Sequence, residues 1–480
     1  MSFAIRHAEV IDGTGRPRFA ADVLVADGTI AALMPPGSAR ADDIVDAPGL
    51  VLCPGFIDAH SHDDLLVLQS PVPHPKLSQG VCTVVTGNCG ISLAPLLTDH
   101  PPAPLDLLGS SAERFACFAD YLARLDAERP SVNVAPLIGH TSLRVRHVAD
   151  LSRPASAHET ATMRAEVQQA LDAGAFGLST GVYYPPARAA GIEELLAVCG
   201  ALKGRDAVLA MHIRDEGDHI DAALKEALQV GAASGARLVL SHHKVVGPRN
   251  HGRTRETLRM IEAAARLQPV CFDCYPYEAA STMLDAERAA RVGDVLITWS
   301  TPHPEHSGRK LRDIAADWSV DLKAAAQRLV PGGAIYFSMA AEDVERVLAH
   351  PLCMVGSDGL PHDRHPHPRL WGSFPRVLGH YSRERGLMTL ETAVHKMTGW
   401  PAQRFGLVGR GTIAAGQAAD LVLLDAARVR DTASYDEPQA AAAGIEAVWV
   451  NGRLALRNGE ITDSHAGVRL RPARSLAAGA

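Results

Sequence analysis

Long apolar runs are missing from this chain. A membrane-spanning helix takes about 20 consecutive apolar residues, and no stretch of the 480 residues reaches that length. Positive charge is also short. The 47 Lys and Arg against 54 Asp and Glu leave a net charge of -7, the wrong sign for a main partner that is nucleic acid or an anionic membrane. The opening residues, Met1-Ser-Phe-Ala-Ile-Arg-His-Ala-Glu9, lack the basic and then apolar layout of a signal peptide. Eight cysteines are too few for a disulfide framework in so long a chain. These absences together point to a reducing cytoplasm.

What is present is ordinary for a globular protein, 47% hydrophobic and 21% charged. Both ends of the chain read as short strands broken by turns: Phe3–Ile11, Ala21–Val25 and Thr29–Leu33 at the start, then Ala419–Leu424, Ala447–Gly452 and Glu460–Ile461 at the end. One small β-sandwich domain built from residues 1–53 and 411–480 is expected. The middle, 54–410, alternates apolar strand-like runs with alanine-rich amphipathic segments such as Thr160–Leu171 and Ile220–Leu228. Counting the run that ends at Ile57, eight strand candidates precede polar clusters. That predicts an α/β fold, a (β/α)8 TIM barrel with its active site at the strand ends. Residues 283–345 interrupt the rhythm and read as an insertion or lid near the barrel mouth.

The chemistry collects at those ends. The apolar run Gly49–Ile57 leads into Asp58-Ala59-His60-Ser61-His62. Side chains two apart on an extended strand share a face, so His60 and His62 can form half of a divalent-metal site. An isolated His-x-His is more often a surface pair, but further ligands follow later strands. Cys89 stands between glycines in Gly87-Asn-Cys-Gly90, where a nearby metal would hold it as thiolate. His212 and His242 each end an apolar run. His243 points to the opposite face and reads as a packing residue. Asp358, in Gly356-Ser-Asp-Gly359, can ligate metal and take a proton from water. Cys53, Cys82, Cys117, Cys199 and Cys353 read as buried small hydrophobes, and the Cys271/Cys274 pair as packing on one strand. Lys244 shares the face of His242, and Arg369 has the planar fork that grips a carboxylate. His362, His365 and His367 read as a solvated loop.

Pro54-Gly-Phe-Ile-Asp-Ala-His-Ser-His62 and Gly411–Val422 resemble the amidohydrolase superfamily over nearly the whole chain. Gly87–Gly90, Gly177-Leu-Ser-Thr-Gly-Val-Tyr-Tyr-Pro185, Ser241-His-His-Lys244 and Gly356–Gly359 are similar to the N-acyl-D-amino-acid deacylases, or D-aminoacylases. The resemblance implies a zinc enzyme that hydrolyses linear amides of small-molecule N-acyl-D-amino acids, acting as a monomer or homodimer. It implies one tight zinc site from Cys89, His212 and His242. A second, weaker site would use His60, His62, Cys89 and Asp358, with Asp358 as the catalytic base. Tyr184, Tyr275 and Ser281 fall where the family's motifs place hydrogen-bond donors, joining Lys244 and Arg369 as substrate-binding residues. An acidic substrate side chain would need a further cation, for which Arg288, Arg291 and Arg309 stand open. Two alternatives remain: a cyclic-amide hydrolase resembling hydantoinases and dihydroorotases, opposed by the missing lysine in Gly177–Gly181, and a non-catalytic scaffold, opposed by the intact ligand set.

Overall fold

The computed structural model describes residues 2–69, 75–109 and 113–473. Residues 1 and 474–480, expected in the small domain, and 70–74 and 110–112, expected in the barrel, lie outside the described residues. Eight parallel strands follow one another around a barrel: β1 (Phe56–Asp58), β2 (Val81–Thr86), β3 (Asn133–Gly139), β4 (Gly177–Gly181), β5 (Val208–His212), β6 (Arg237–Leu240), β7 (Val270–Cys274) and β8 (Cys353–Val355). Nearly every residue in them is buried, because helices cover the outside and side chains fill the inside. That is why they read as continuous apolar runs instead of alternating ones.

The helices keep to simple local rules. Ala157–Ala173 starts at Ser156, whose side chain accepts from the Glu159 amide while Glu159 reaches back, and stops at Gly174 in the left-handed conformation. Ile220–Ser234 buries Ile220, Ala223, Leu224, Ala227 and Val230, spaced at three and four along one face. Each large apolar side chain so buried contributes about 1.5–3 kcal/mol before entropy is counted.

The apolar run Gly49–Ile57 is not one strand. Val51–Pro54 pairs with Ser2–Val10 and Leu421–Leu424 in the terminal sheet, and only after Gly55 does the chain enter β1. A Cβ on Gly55 would lie 2.3 Å from the Cys82 sulfur, so glycine alone lets the chain cross between the sheets there. His60 and His62 therefore lie beyond β1, and strand alternation does not place them. They are held instead where the barrel closes: Ala59 donates to the Val355 carbonyl at 3.3 Å and Asp358 to the His60 carbonyl at 2.8 Å.

The terminal strands form one nine-stranded sheet from both ends of the chain, eight in a continuous path and Asp43–Asp46 pairing beside it with Ser2–Val10. It folds around one core that includes Ile5, Val23, Ile30, Leu52, Leu421 and Trp449. Between β7 and β8 lies a three-stranded antiparallel sheet, Ala279–Met283, Gly332–Phe337 and Val295–Ser300, with Gly332–Phe337 in the middle. Helices Ala286–Val292, Leu311–Asp317 and Leu322–Leu329 give it a separate core around Leu311, Ile314, Leu329 and Tyr336. Helix Ala341–Ala349 instead packs Val344, Val347 and Leu348 into the main core.

The loop after β8 is not solvated as its histidines suggested. The inserted sheet covers it, with the His365 amide donating to the Thr298 carbonyl at 3.0 Å and His367 Nε2 3.1 Å from the Ala279 carbonyl. Cys117 likewise departs from the reading as a buried hydrophobe. It precedes the helix Phe118–Glu128 and is exposed, whereas Cys53, Cys82, Cys199, Cys271, Cys274 and Cys353 are buried.

Candidate metal centre and active site

Four of the expected ligands converge. One nitrogen of His60, the Cys89 sulfur, one nitrogen of His242 and one oxygen of Asp358 lie within 4.8 Å of one another. Cys89 Sγ is 3.3 Å from both His60 Nε2 and His242 Nε2. Asp358 Oδ1 lies 3.5 Å from His60 Nε2 and 3.1 Å from His62 Nε2. His212 sits in an adjoining group with Glu216 and His242, its ring centroid 4.4 Å from that of His242. Cys89, His242 and Asp358 all carry a positive φ, at 54°, 36° and 48°. Each such non-glycine residue costs about 1–3 kcal/mol, strain that clusters where function overrides local preference.

The electrostatics suit a cation. Burial drags His60 down to about 3 despite the nearby Asp358, and also lowers His212 and His242, so all three imidazoles keep a free lone pair. Burial and then Asp358 push the Cys89 thiol well above its ordinary value, so without a cation it stays protonated. Burial would raise Asp358 too, but Arg369, His242, His62 and His60 outweigh it and hold the carboxyl well below its usual range.

Both ring nitrogens of His212 and Nδ1 of His62 are buried with no hydrogen-bond partner among the described residues. Such orphaned nitrogens are rare in a finished interior, and a metal bound by His212 would account for one of its two. One soft sulfur with imidazoles and a carboxylate is a donor set that suits zinc.

Carboxylates behind the ligands set their tautomers. His60 Nδ1 is 3.3 Å from Asp273 Oδ1, and Asp273 also accepts from the His242 amide at 2.9 Å. His242 Nδ1 is 3.1 Å from Glu216 Oε1. A proton held on His60 Nδ1 by Asp273 leaves its Nε2 facing Cys89, whereas His242 Nδ1 lies between Glu216 and the Lys244 ammonium, 2.9 Å away. The sequence reading assigned neither carboxylate a role. Each had a signal: Asp273 is the one charged residue in an apolar strand, and Glu216 falls four residues after His212.

The expected substrate residues share one wall. Lys244 Nζ lies 2.5 Å from Glu216 Oε1 and 5.6 Å above the Tyr275 ring. Arg369 stacks on the same ring at 4.6 Å and donates to the Ser281 carbonyl at 3.0 Å. The Tyr184 hydroxyl lies 3.3 Å from that of Thr282. Tyr275 Oη and Ser281 Oγ are buried without a partner among the described residues. They line a small pocket that Arg288 also lines. Arg288 is only 8% exposed, bonded to Tyr183 Oη at 3.0 Å and stacked 4.2 Å over Tyr336. The other two open cations are elsewhere, Arg291 exposed and Arg309 paired with Asp317.

The amidohydrolase family profile matches residues 43–292 and 309–455. The chain belongs to the amidohydrolase family. Within it, this amidohydrolase falls among the N-acyl-D-amino-acid deacylases. It is 51% identical over 479 residues to an N-acyl-D-aspartate deacylase of Alcaligenes xylosoxydans xylosoxydans, covering 99% of this chain and 95% of that protein. A crystal structure of D-aminoacylase superposes with a TM-score of 0.96 at 50% identity, covering 98% and 99% of the two chains. An N-acyl-D-glutamate deacylase from Bordetella bronchiseptica, complexed with zinc and a phosphonate inhibitor, gives a TM-score of 0.95 at 47% identity, covering 98% and 99%. Among the described residues of the amidohydrolase, no helix is long and apolar enough to cross a membrane.

Proposed function

We propose that this amidohydrolase uses zinc to hydrolyse the amide bond of N-acyl-D-amino acids, giving a carboxylate and the free D-amino acid, and that it prefers an acidic side chain. The clustering of His60, Cys89, His242 and Asp358 carries the reaction type. Arg288 carries the preference. It is a buried guanidinium at the pocket with no carboxylate at ion-pair distance among the described residues, Glu216 acting on it only from farther off, and a buried charge so weakly countered favours an anionic ligand.

Cys89, His212 and His242 would hold zinc tightly, and His60, His62, Cys89 and Asp358 would form a second, weaker site. Zinc bound by these residues would supply Lewis-acid polarisation and acidify water. Asp358, kept ionised by Arg369, takes a proton from the attacking water and returns it to the leaving nitrogen. Lys244, Arg369 and Tyr275 receive the α-carboxylate, while Ser281 and Tyr184 line the rest of the pocket. The barrel, 54–410, carries this chemistry, and the segments 1–53 and 411–480 make up a supporting domain.

The test is incubation of zinc-replete protein with racemic N-acetyl-glutamate, -aspartate, -leucine and -methionine, followed by chiral resolution of the released amino acids. Release of D-amino acids alone, fastest from the acidic substrates, is expected. Release of L-amino acids, or of nothing by zinc-loaded protein, overturns the proposal.

A further inference from the structure

Lys76 is fully buried, although nothing in the proposed reaction uses it. Its ammonium nitrogen lies 2.7 Å from Asp58 Oδ2, 2.7 Å from Ser357 Oγ and 3.4 Å from Asp63 Oδ2. Those partners lie on both sides of the line where the barrel closes. Asp58 ends β1 and Asp63 follows His62, whereas Ser357 comes after β8 and directly precedes Asp358. Ser357 is held further: its amide donates to Asp58 Oδ1 at 2.8 Å and its hydroxyl to Asp58 Oδ2 at 2.6 Å.

This line is where the barrel has least backbone to hold it. Each other neighbouring pair of strands shares a ladder, but the ladder ends at β1 on one side and β8 on the other. Single contacts join them, Ala59 to Val355 and Asp358 to His60. The reacting groups straddle the same line, with His60 and His62 on one side and Asp358 on the other. Asp358 also holds a left-handed backbone that needs outside support. An interior ion pair is seldom kept for stability, since apolar residues of like volume often serve as well or better.

We propose that Lys76 is a positioning residue that, through Asp58 and Ser357, sets the separation of Asp358 from His60 and His62. This rests on the metal and base assignments above.

The experiment compares Ser357→Ala, Lys76→Met and the double variant, each as full-length protein. The first removes the hydroxyl through which Lys76 and Asp58 hold Ser357, leaving the Lys76–Asp58 ion pair and the bond from the Ser357 amide to Asp58 in place, so it tests the side-chain path even where Lys76→Met fails to fold. Cobalt-substituted protein reports ligand geometry through its visible absorption, independently of turnover, and zinc competition with a chelator reports affinity. Ser357→Ala is expected to alter the cobalt spectrum and lower kcat about 10²-fold with little change in KM, as a small misplacement of a reacting group does. Lys76→Met should add little to it, because both act along one path. A wild-type spectrum and kcat in Ser357→Ala, or independent effects that add fully, would overturn the proposal. If the wild type lacks deacylase activity, the functional reading fails, while the cobalt spectra still decide whether Lys76 sets this geometry.

Discussion

Arg369 Nη1 lies 2.9 Å from Asp358 Oδ2, with the arginine 1% and the aspartate 7% exposed. The residue expected to grip the substrate is thus already paired with the proposed base. Neither Nε nor Nη1 makes a hydrogen bond among the described residues, so the guanidinium can hold Asp358 by charge and still take a carboxylate oxygen. Arg369→Lys keeps the charge and loses the fork. A fall of about 10²-fold in kcat/KM is expected, from a raised KM and a lowered kcat together. Initial rates across substrate concentration separate the two. A raised KM with unchanged kcat would remove the link to Asp358.

Arg288→Leu should invert substrate preference. Removing one partner of a desolvated charge pair costs enough to lower kcat/KM for N-acetyl-D-glutamate about 10²-fold or more. The N-acetyl-D-leucine rate should hold or rise. Equal losses on both substrates would assign Arg288 to packing on Tyr336 rather than to recognition.

Zinc uptake should release a proton that Cys89→Ala does not release. Burial keeps the Cys89 thiol protonated in metal-free protein, whereas a thiol that binds zinc does so as thiolate. Zinc titration by calorimetry in buffers of different ionisation enthalpy near neutral pH measures the difference. Chelator treatment should abolish turnover by the wild type and zinc should restore it, while Cys89→Ala stays inactive.

A buried pair behind the barrel sets an acid limit on stability. Glu194 lies 2.6 Å from Arg144 Nη1 and 3.0 Å from His140 Nε2. Burial would raise its pKa, but those partners and the Ala155 amide pull it down to about 2 from an ordinary 4.5. The unfolded chain therefore binds the proton more readily. The stabilisation is fully present above pH 4.5 and is lost as pH falls toward about 2. Glu194→Gln should cost about 3 kcal/mol near neutrality by leaving Arg144 unpaired. Melting temperatures of variant and wild type should then converge as the pH drops through that window.

Much of the fold was legible in the order of residues. Most of the barrel strands were visible as apolar runs because they are buried on both faces, and a run of Val, Leu and Ile has few other ways to be satisfied. The terminal strands showed through the turns between them. Gly49–Ile57 misled because hydrophobicity alone does not reveal that one run serves two sheets. The contact of Gly55 with Cys82 that divides it is not local. The His362–His367 loop misled for a similar reason, since its polar composition describes the loop and not the inserted sheet that covers it.

The sequence by itself determined the candidate ligands and the strand end near which each stands: His60, His62, Cys89, His212, His242 and Asp358. Those identities follow from local chemistry, a polar residue breaking an apolar run. Only the tertiary structure decided how they are held. Asp273 and Glu216 reach the ligands from other strands and loops, Lys76 meets Ser357 across 281 positions of chain, and Arg288 rather than Arg291 or Arg309 reaches the pocket. Hydrogen bonds and ion pairs act over about 3 Å of space, and the separation of two residues along the chain carries no record of that distance until the barrel closes.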